Sequence, residues 1–314
     1  MRQQIRTKIH EKNLGVGSVD ETDQAIVRLL QRDGRLGHRE IAEAVGLSRS
    51  AAAGRVQRLI ETGPVVVRGV VHPAVLGRGS LAHVGLVVRG SAVAVATEVA
   101  ERDDTPFVSL ASGRHGVLAE VRTSSPLAVD RAIAELRSLP SVQGVDTLSY
   151  VEVMRDVAGP VGEVTHQIDS VDAAILRVLQ RDGRASYVDL ARHVRLTPAG
   201  VRRRVIRLLD SQVVHIGALV RQPGLDGQAA LGMGLRLGGD SSDALDRVLA
   251  VPQVSFLART LGRFDVLVTL RAYDPADLLE GLEQIRGIPG VNETECWTHL
   301  RVVKETYASE GLVV

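Results

Sequence analysis

The chain of 314 residues repeats itself at an offset of 149 positions, and this constrains its fold more than any other feature. Asp33-Gly34-Arg35 returns as Asp182-Gly183-Arg184, and Arg55-Val56 and Arg58-Leu59 return as Arg204-Val205 and Arg207-Leu208. Gly113-Arg114 returns as Gly262-Arg263, and Pro140 as Pro289, with small slips such as the one around Pro73 and Pro223. Solenoid and propeller repeats recur every 20–50 residues or so. A far longer period means two copies of a complete module, each with room for two small domains. The work of one copy, and the differences between copies, then carry the functional reading.

In copy one, Asp20 is placed to cap a first helix, with Asp23 in its first turn at the positive end of the dipole. Ile26, Leu29 and Leu30 fall on one helical face, and Gly34 stops the helix. A second helix spans about Arg39–Val45 and ends at Gly46, and Ser48 caps a third that reaches about Ile60. Gly63-Pro64 breaks the pattern, and Val65–Val71 is rich in strand formers. Three helices and a β segment predict a winged helix-turn-helix. Copy two repeats it, with Asp169 and Asp172 opening the first helix and Thr197-Pro198 the third.

The pattern then changes to strand 81–88, helix 91–101, strands 107–112 and 117–122, helix 126–139 and strand 145–153. Copy two has strands at 229–237, 254–261, 265–271 and 291–303 and helices at 241–250 and 275–286. This βαββαβ order predicts a ferredoxin-like sandwich. The expected organisation is α+β: a basic arm 1–18, winged helix-turn-helix 19–72, ferredoxin-like domain 73–157, linker 158–167, second winged helix-turn-helix 168–221 and second ferredoxin-like domain 222–308.

Charge is unevenly spread. Residues 168–221 hold ten arginines against five aspartates, and residues 222–304 hold eight cations against eleven acids. A basic unit followed by an acidic one suggests nucleic-acid binding in the first and another task in the second. Copy one is nearer balance, with eight arginines and seven acids over residues 19–70. The single cysteine, Cys296, excludes an intrachain disulfide and a cysteine-rich zinc site, and a reducing cytoplasm fits best. No apolar run approaches the roughly 20 residues of a membrane span. No cofactor or metal is expected, because histidines lack close helical pairing and no nucleophile elbow, phosphate loop or dinucleotide fingerprint occurs.

The joint spacing of Asp169-x-x-Asp172-x-x-Ile175-Leu176-x-x-Leu179-x-x-Asp182-Gly183-Arg184, Leu196-Thr197-x(6)-Arg204-Val205-x-Arg207-Leu208, Gly262-Arg263-Phe264-Asp265 and Pro289-Gly290-Val291-Asn292-Glu293-Thr294 resembles the Lrp/AsnC (feast/famine) transcriptional regulators. Copy one carries the same set from Asp20 to Val153, with gaps. The resemblance implies a DNA-binding domain joined to a RAM-type ferredoxin-like domain that senses a ligand and oligomerises. It implies double-stranded DNA as partner, intrachain pairing of the two sensor domains, further homo-oligomerisation and a nucleoid-associated location.

The third helix of a helix-turn-helix enters the major groove. The DNA-contact candidates are therefore Ser48, Arg49, Ser50, Arg55 and Arg58 in copy one, and Thr197, Arg202, Arg203, Arg204 and Arg207 in copy two. Neither segment contains an acid, which suits phosphate surroundings. For Arg55, Arg58, Arg204 and Arg207, pairing with an internal acid such as Asp210 stands as the alternative. Arg49 near the helix start suits bidentate reading of guanine, whereas copy two begins with Pro198, Ala199 and Gly200 and is expected to clamp backbone.

By the same resemblance, Gly262, Arg263, Phe264, Asp265 and Thr294 form the effector site for an amino-acid-like molecule, Asp265 accepting its ammonium. In copy one the acid is replaced by Gly116, which predicts a degenerate sensor there. A turn merely capped by Asp265 is the alternative. Two other functions are weighed: a siroheme-decarboxylase-like enzyme, with His83 and Arg89 as nearest candidates, and a DNA-packaging protein of low sequence preference.

Overall fold

Capping sets the helices of the first unit. In this computed structural model, which describes residues 20–61, 65–156, 158–220, 229–239 and 242–306, the Asp20 carboxylate accepts the Asp23 N–H at 2.7 Å and starts α1 (Glu21–Arg32). Gly46, at φ 69°, ends α2 (His38–Val45), and α3 (Arg49–Glu61) follows. Copy two has α6 (Ser170–Leu179), α7 (Tyr187–Val194) and α8 (Pro198–Asp210), the last capped by Thr197. The position matching Gly46 is Arg195, held left-handed at φ 55°. The arm 1–18, the Gly63-Pro64 break and residues 222–228 lie outside the described residues.

The β segment expected as a wing does not fold back on its own copy. Strand β1 (Val65–Val71) pairs antiparallel with β6 (Val214–Val220) of the other copy, from Val65 opposite Val220 to Val71 opposite Val214. A lone strand would leave its N–H and C=O groups unpaired, and the duplicate strand satisfies them. The Asp-Gly-Arg loops lock this pairing reciprocally. Arg35 donates to the Gly183 and Ala185 carbonyls at 2.7 and 3.0 Å, and Arg184 donates to those of Gly34 and Leu36 at 2.7 and 3.2 Å. Ile26, Leu30 and Val56 of copy one share a single hydrophobic core with Ile175, Leu179 and Val205 of copy two.

The predicted βαββαβ order is present in both sensor units. Copy one has β2 (Ser80–Val88), α4 (Ala92–Ala100), β3 (Phe107–Ala111), β4 (Val117–Thr123), α5 (Pro126–Ser138) and β5 (Val142–Asp156). Copy two has β7 (Ala229–Leu237), α9 (Ser242–Ala250), β8 (Val254–Leu261), β9 (Val266–Ala272), α10 (Pro275–Arg286) and β10 (Val291–Glu305). Side chains alternate across each sheet. Ala82, Val84 and Leu86 pack under the helices of copy one, and Met233, Leu235 and Val268 do so in copy two.

The last strand of each copy outruns its predicted end for a long-range reason. Residues 142–149 of β5 pair with β2, and residues 149–156 continue along β8 of the other sheet. Likewise β10 leaves β7 at His299 and runs along β3 to Glu305. These two exchanges close an eight-stranded barrel in the order β10-β3-β4-β2-β5-β8-β9-β7. The expected intrachain pairing of sensor domains is therefore built from shared strands, and no sheet edge remains open in the ring. Cys296 packs half-buried against the core of copy two, and Trp297 lies at the interface between the sheets.

Candidate nucleic-acid interface and sensor cavity

The ten DNA-contact candidates divide into three groups. Ser48 and Thr197 are caps: their hydroxyls accept the Ala51 and Gly200 N–H groups, each at 3.2 Å. Arg49 and Ser50 are exposed on the first turn of α3 and Arg202 and Arg203 on the second turn of α8, and the three arginines have no ion pair among the described residues. They are cations held out to solvent.

The remaining four arginines are engaged in the fold, by acids other than Asp210. Arg55 Nη1 meets Asp20 at 2.6 Å and Asp23 at 2.9 Å, and Arg58 Nη2 meets Asp23 at 2.5 Å. Arg204 Nη1 meets Asp169 at 2.7 Å and Asp172 at 2.8 Å, and Arg207 Nη2 meets Asp172 at 3.3 Å. The carboxylates of Asp23 and Asp172 are 2% and 1% exposed, so each buried acid requires its arginines. Hydrogen bonding from Arg55 pulls the Asp20 carboxyl below its usual range, and the Asp172 N–H followed by Arg204 does the same for Asp169. The Asp-x-x-Asp motif thus anchors the third helix to the first. Arg58 and Arg207 keep about half their side-chain surface exposed beyond these pairings.

Sequence reasoning missed Arg195. It lies exposed in the turn before α8, in a conformation that costs a non-glycine residue about 1–2 kcal/mol. The signal was the glycine at the matching position 46, which marks a left-handed site.

The turn after β8 points two ways. Asp265 is exposed; one carboxylate oxygen accepts the Leu237 N–H at 2.8 Å, and its carbonyl accepts the Thr260 N–H. Thr294 pairs with Leu235 along β10. Gly262 is exposed at φ 148°. Phe264 is buried and turned inward, with Arg263 over its ring at 4.5 Å and paired with Glu295 at 2.5 Å. Asp265 therefore caps the turn and also presents its carboxylate to solvent, whereas Arg263 and Phe264 line a cavity between the sheets.

That cavity holds about 120 Å³ and takes its walls from both copies: His83, Gly85, His115, Leu118, Asp146, Thr147 and Leu148 from one, Arg263, Phe264 and Trp297 from the other. A second of about 70 Å³ shares His83 and reaches Glu120, Tyr150, Arg271 and His299. Few apolar residues meet here, chiefly Leu148, Phe264 and Leu267 with Tyr150, Phe256 and Trp297. Polar neighbours are paired: His115 Nε2 with Asp146 at 2.8 Å, Arg122 with Glu120, and His299 Nδ1 with Ser109 Oγ at 2.9 Å. Burial pushes the His83 and His299 imidazoles down to about 3 and about 4, and it raises the Glu120 carboxyl. Arg89 is exposed at the far end of β2, six positions from His83. Among the described residues no cluster of ligating side chains suits a metal, and no helix is long and apolar enough to cross a membrane.

These features agree with known proteins. The AsnC-type helix-turn-helix domain matches twice, at residues 19–60 and 168–209, and the Lrp/AsnC ligand binding domain matches residues 233–309. The HTH-type transcriptional regulator FL11 of Pyrococcus abyssi is 28% identical over 143 residues, covering 44% of this chain and 93% of its own length. The leucine-responsive regulatory protein of Haemophilus influenzae is 31% identical over 147 residues, covering 44% of this chain and 87% of its own. Such relatives have the size of one copy. Nearly the whole chain shares its fold with the crystal structure of the siroheme decarboxylase NirDL (TM-score 0.62, 16% identity), covering 93% of this chain and 96% of that one. Two helix-turn-helix units, a matching ligand-binding domain and relatives aligned over most of their length place this chain in the Lrp/AsnC family.

Proposed function

We propose that the protein is a sequence-specific DNA-binding transcriptional regulator whose two unlike recognition helices are presented by one covalent pseudo-dimer. The observation that carries this reading is the state of the arginines. The fold engages Arg55, Arg58, Arg204 and Arg207 in ion pairs yet leaves Arg49, Arg202 and Arg203 exposed in the N-terminal half of the recognition helices. Exposed cations at that end of a helix suit phosphate and base-edge contacts. The β1–β6 pairing and reciprocal arginines hold the two helix-turn-helix units at a fixed spacing, as discrete half-sites require.

A small amino-acid-like effector at the turn Gly262–Asp265 belongs to the same reading, with Asp265 facing it and Arg263 and Phe264 turned away into the barrel. The exposed Asp265 carboxylate supports it, since among the described residues only one of its oxygens accepts a hydrogen bond, from the Leu237 N–H. Copy one has Gly116 at that position and offers no such acid. The relatives' names support regulation. The barrel interior does not favour the decarboxylase alternative: cavities of about 70 and 120 Å³ around His83 are smaller than the roughly 150 Å³ space that holds a single benzene.

The test is binding to genomic fragments against random competitor DNA across a salt series. Discrete protected sites are expected. Arg49→Ala or the pair Arg202→Ala, Arg203→Ala should lower affinity and reduce the log–log salt slope by about 0.9 for each phosphate that is no longer neutralised. Uniform protection would instead indicate packaging, and no binding at modest ionic strength would refute both.

A further inference from the structure

A cleft of about 670 Å³ lies where the first helix-turn-helix unit meets the second sensor sheet. Its walls come from α1, the strands β5, β6 and β9, and the segment running from the end of α9 into β8. Small-molecule sites occupy roughly 300–1,000 Å³ and favour such junctions between domains. Four arginines line it, Arg28 and Arg32 from α1, Arg155 from β5 and Arg271 from β9, against one aspartate, Asp156. Carbonyls in the wall already have donors. His215 Nε2 donates to that of Gln31 at 2.8 Å, Arg155 Nη1 to that of Val254 at 3.2 Å, and the Arg271 N–H to that of Gln253 at 2.9 Å. What the wall offers an occupant is therefore positive charge.

That charge is concentrated on α1. Arg271 lies 3.3 Å from Glu305, whereas Arg28 and Arg32 are exposed and have no ion pair among the described residues. Arg28 lies 5.8 Å from the centroid of the Tyr273 ring. Side chains at this i, i+4 spacing are neighbours, with Cβ atoms roughly 5–6 Å apart, and like charges there repel. An anion seated between them removes that repulsion. The C-terminal ends of α1 and α9 each bring about half a negative charge to the cleft. Even against these, Asp156 and Glu305, about one positive charge remains in surplus.

The matching residues of the duplicate differ. Arg177 and Arg181 repeat the arginine pair of α1 on α6 and are likewise exposed. The segment that matches Ala250-Val251-Pro252-Gln253, however, is Glu101-Arg102-Asp103-Asp104. Copy one thus has carboxylates built in where the wall of this cleft is neutral.

We propose that the cleft binds one phosphate monoester per chain, with its phosphate between Arg28 and Arg32 and its organic part against Leu249 and Pro252. A phosphate presents three oxygens to guanidiniums approaching from different elements, where a carboxylate presents two. The walls belong to both the helix-turn-helix pair and the barrel, so an occupant ties one to the other. The site is distinct from the turn at Asp265 and does not depend on it.

Isothermal titration calorimetry on the full chain at low ionic strength tests this, with phenyl phosphate as the monoester, benzoate as the carboxylate and phenol as the neutral control. Phenyl phosphate should saturate at one per chain and bind roughly tenfold more tightly than benzoate, and phenol should give no saturable heat. Arg32→Gln should weaken phenyl phosphate by at least roughly tenfold, the value of one hydrogen bond to a charged group. Ala250→Glu, which brings in the carboxylate of Glu101, should weaken it as well. Both positions are exposed, and an unchanged urea midpoint shows that each variant folds. Arg181→Gln, the matching change in copy two, and Asp265→Ala should leave affinity within about twofold of the parent protein. No saturable binding, an equal loss from Arg181→Gln, or benzoate binding as tightly as phenyl phosphate would overturn the proposal. Phenyl phosphate binding that survives Arg32→Gln while DNA affinity falls would overturn it too, and would assign Arg32 to the DNA surface.

Discussion

Replacing Arg35 by alanine should unfasten the paired helix-turn-helix units. Its guanidinium makes two hydrogen bonds to carbonyls of the other copy and lies 4.8 Å from the centroid of the Tyr187 ring. Hydrogen bonds involving a charged group contribute about 1.5–3 kcal/mol each. The site is partly buried, so the lower figure applies, and the aromatic contact adds about 0.5–1 kcal/mol. The expected loss is about 3–4 kcal/mol, or a roughly several-hundred-fold faster exchange of the β1 and β6 amides, if exchange occurs by opening of this pair. Hydrogen exchange followed by mass spectrometry on the β1 and β6 peptides measures it, with the barrel strands as internal reference. Arg184→Ala adds a second test. Burial and then repulsion from Arg35 lower the Arg184 pKa, so the two cations oppose each other. Either single substitution relieves that repulsion, but the double substitution relieves it only once. The double variant should therefore lose more than the sum of the singles. Exchange at β1 within twofold of the parent protein after Arg35→Ala would refute the argument.

Arg55→Ala should destabilise the α1–α3 packing, because Asp23 stays buried with Arg58 as its one remaining arginine, and chemical denaturation should show a lower midpoint. The salt slope of DNA binding by the variant that remains folded should change little. Arg195→Gly should raise stability by about 1 kcal/mol by relieving the left-handed backbone, seen as a higher melting temperature, while DNA affinity falls if the side chain reaches phosphate. Stability should be full above about pH 6.5 and fall towards pH 4, since the unfolded chain takes up protons that His83 and His299 refuse in the fold. The slope is at most about 1.4 kcal/mol per pH unit for each ring. Glu120, raised by burial, works in the opposite sense as pH falls through its shifted value. Urea midpoints at several pH values measure the net effect, and His83→Leu should flatten it.

Much of the fold was legible because it is local. Helix caps at Asp20, Ser48, Asp169 and Thr197, the glycine stop at Gly46 and the strand alternation around Ala82–Leu86 all follow from residues within a few positions of one another. What escaped was long-range. Nothing near Val153 says that β5 must continue to Asp156, because the partner that extends it is β8, more than a hundred residues away. The segment Val65–Val71 reads as a strand but does not name β6 as its mate. At the site, composition correctly marked α3 and α8 as free of acids near their starts, yet the acids that engage Arg55 and Arg204 come from the preceding first helices and their caps. The two-way turn at Phe264 and Asp265 was unreadable for the same reason, since its direction depends on the opposite sheet closing over it.

A homodimer reading DNA is the same from both ends and cannot tell left from right. Here one reading helix begins with Arg49-Ser50 and its mate with Pro198-Ala199, locked together by a seam of backbone hydrogen bonds. An object built that way has a head and a tail, so under the proposed function the fusion would give a bound complex a polarity that a homodimer lacks.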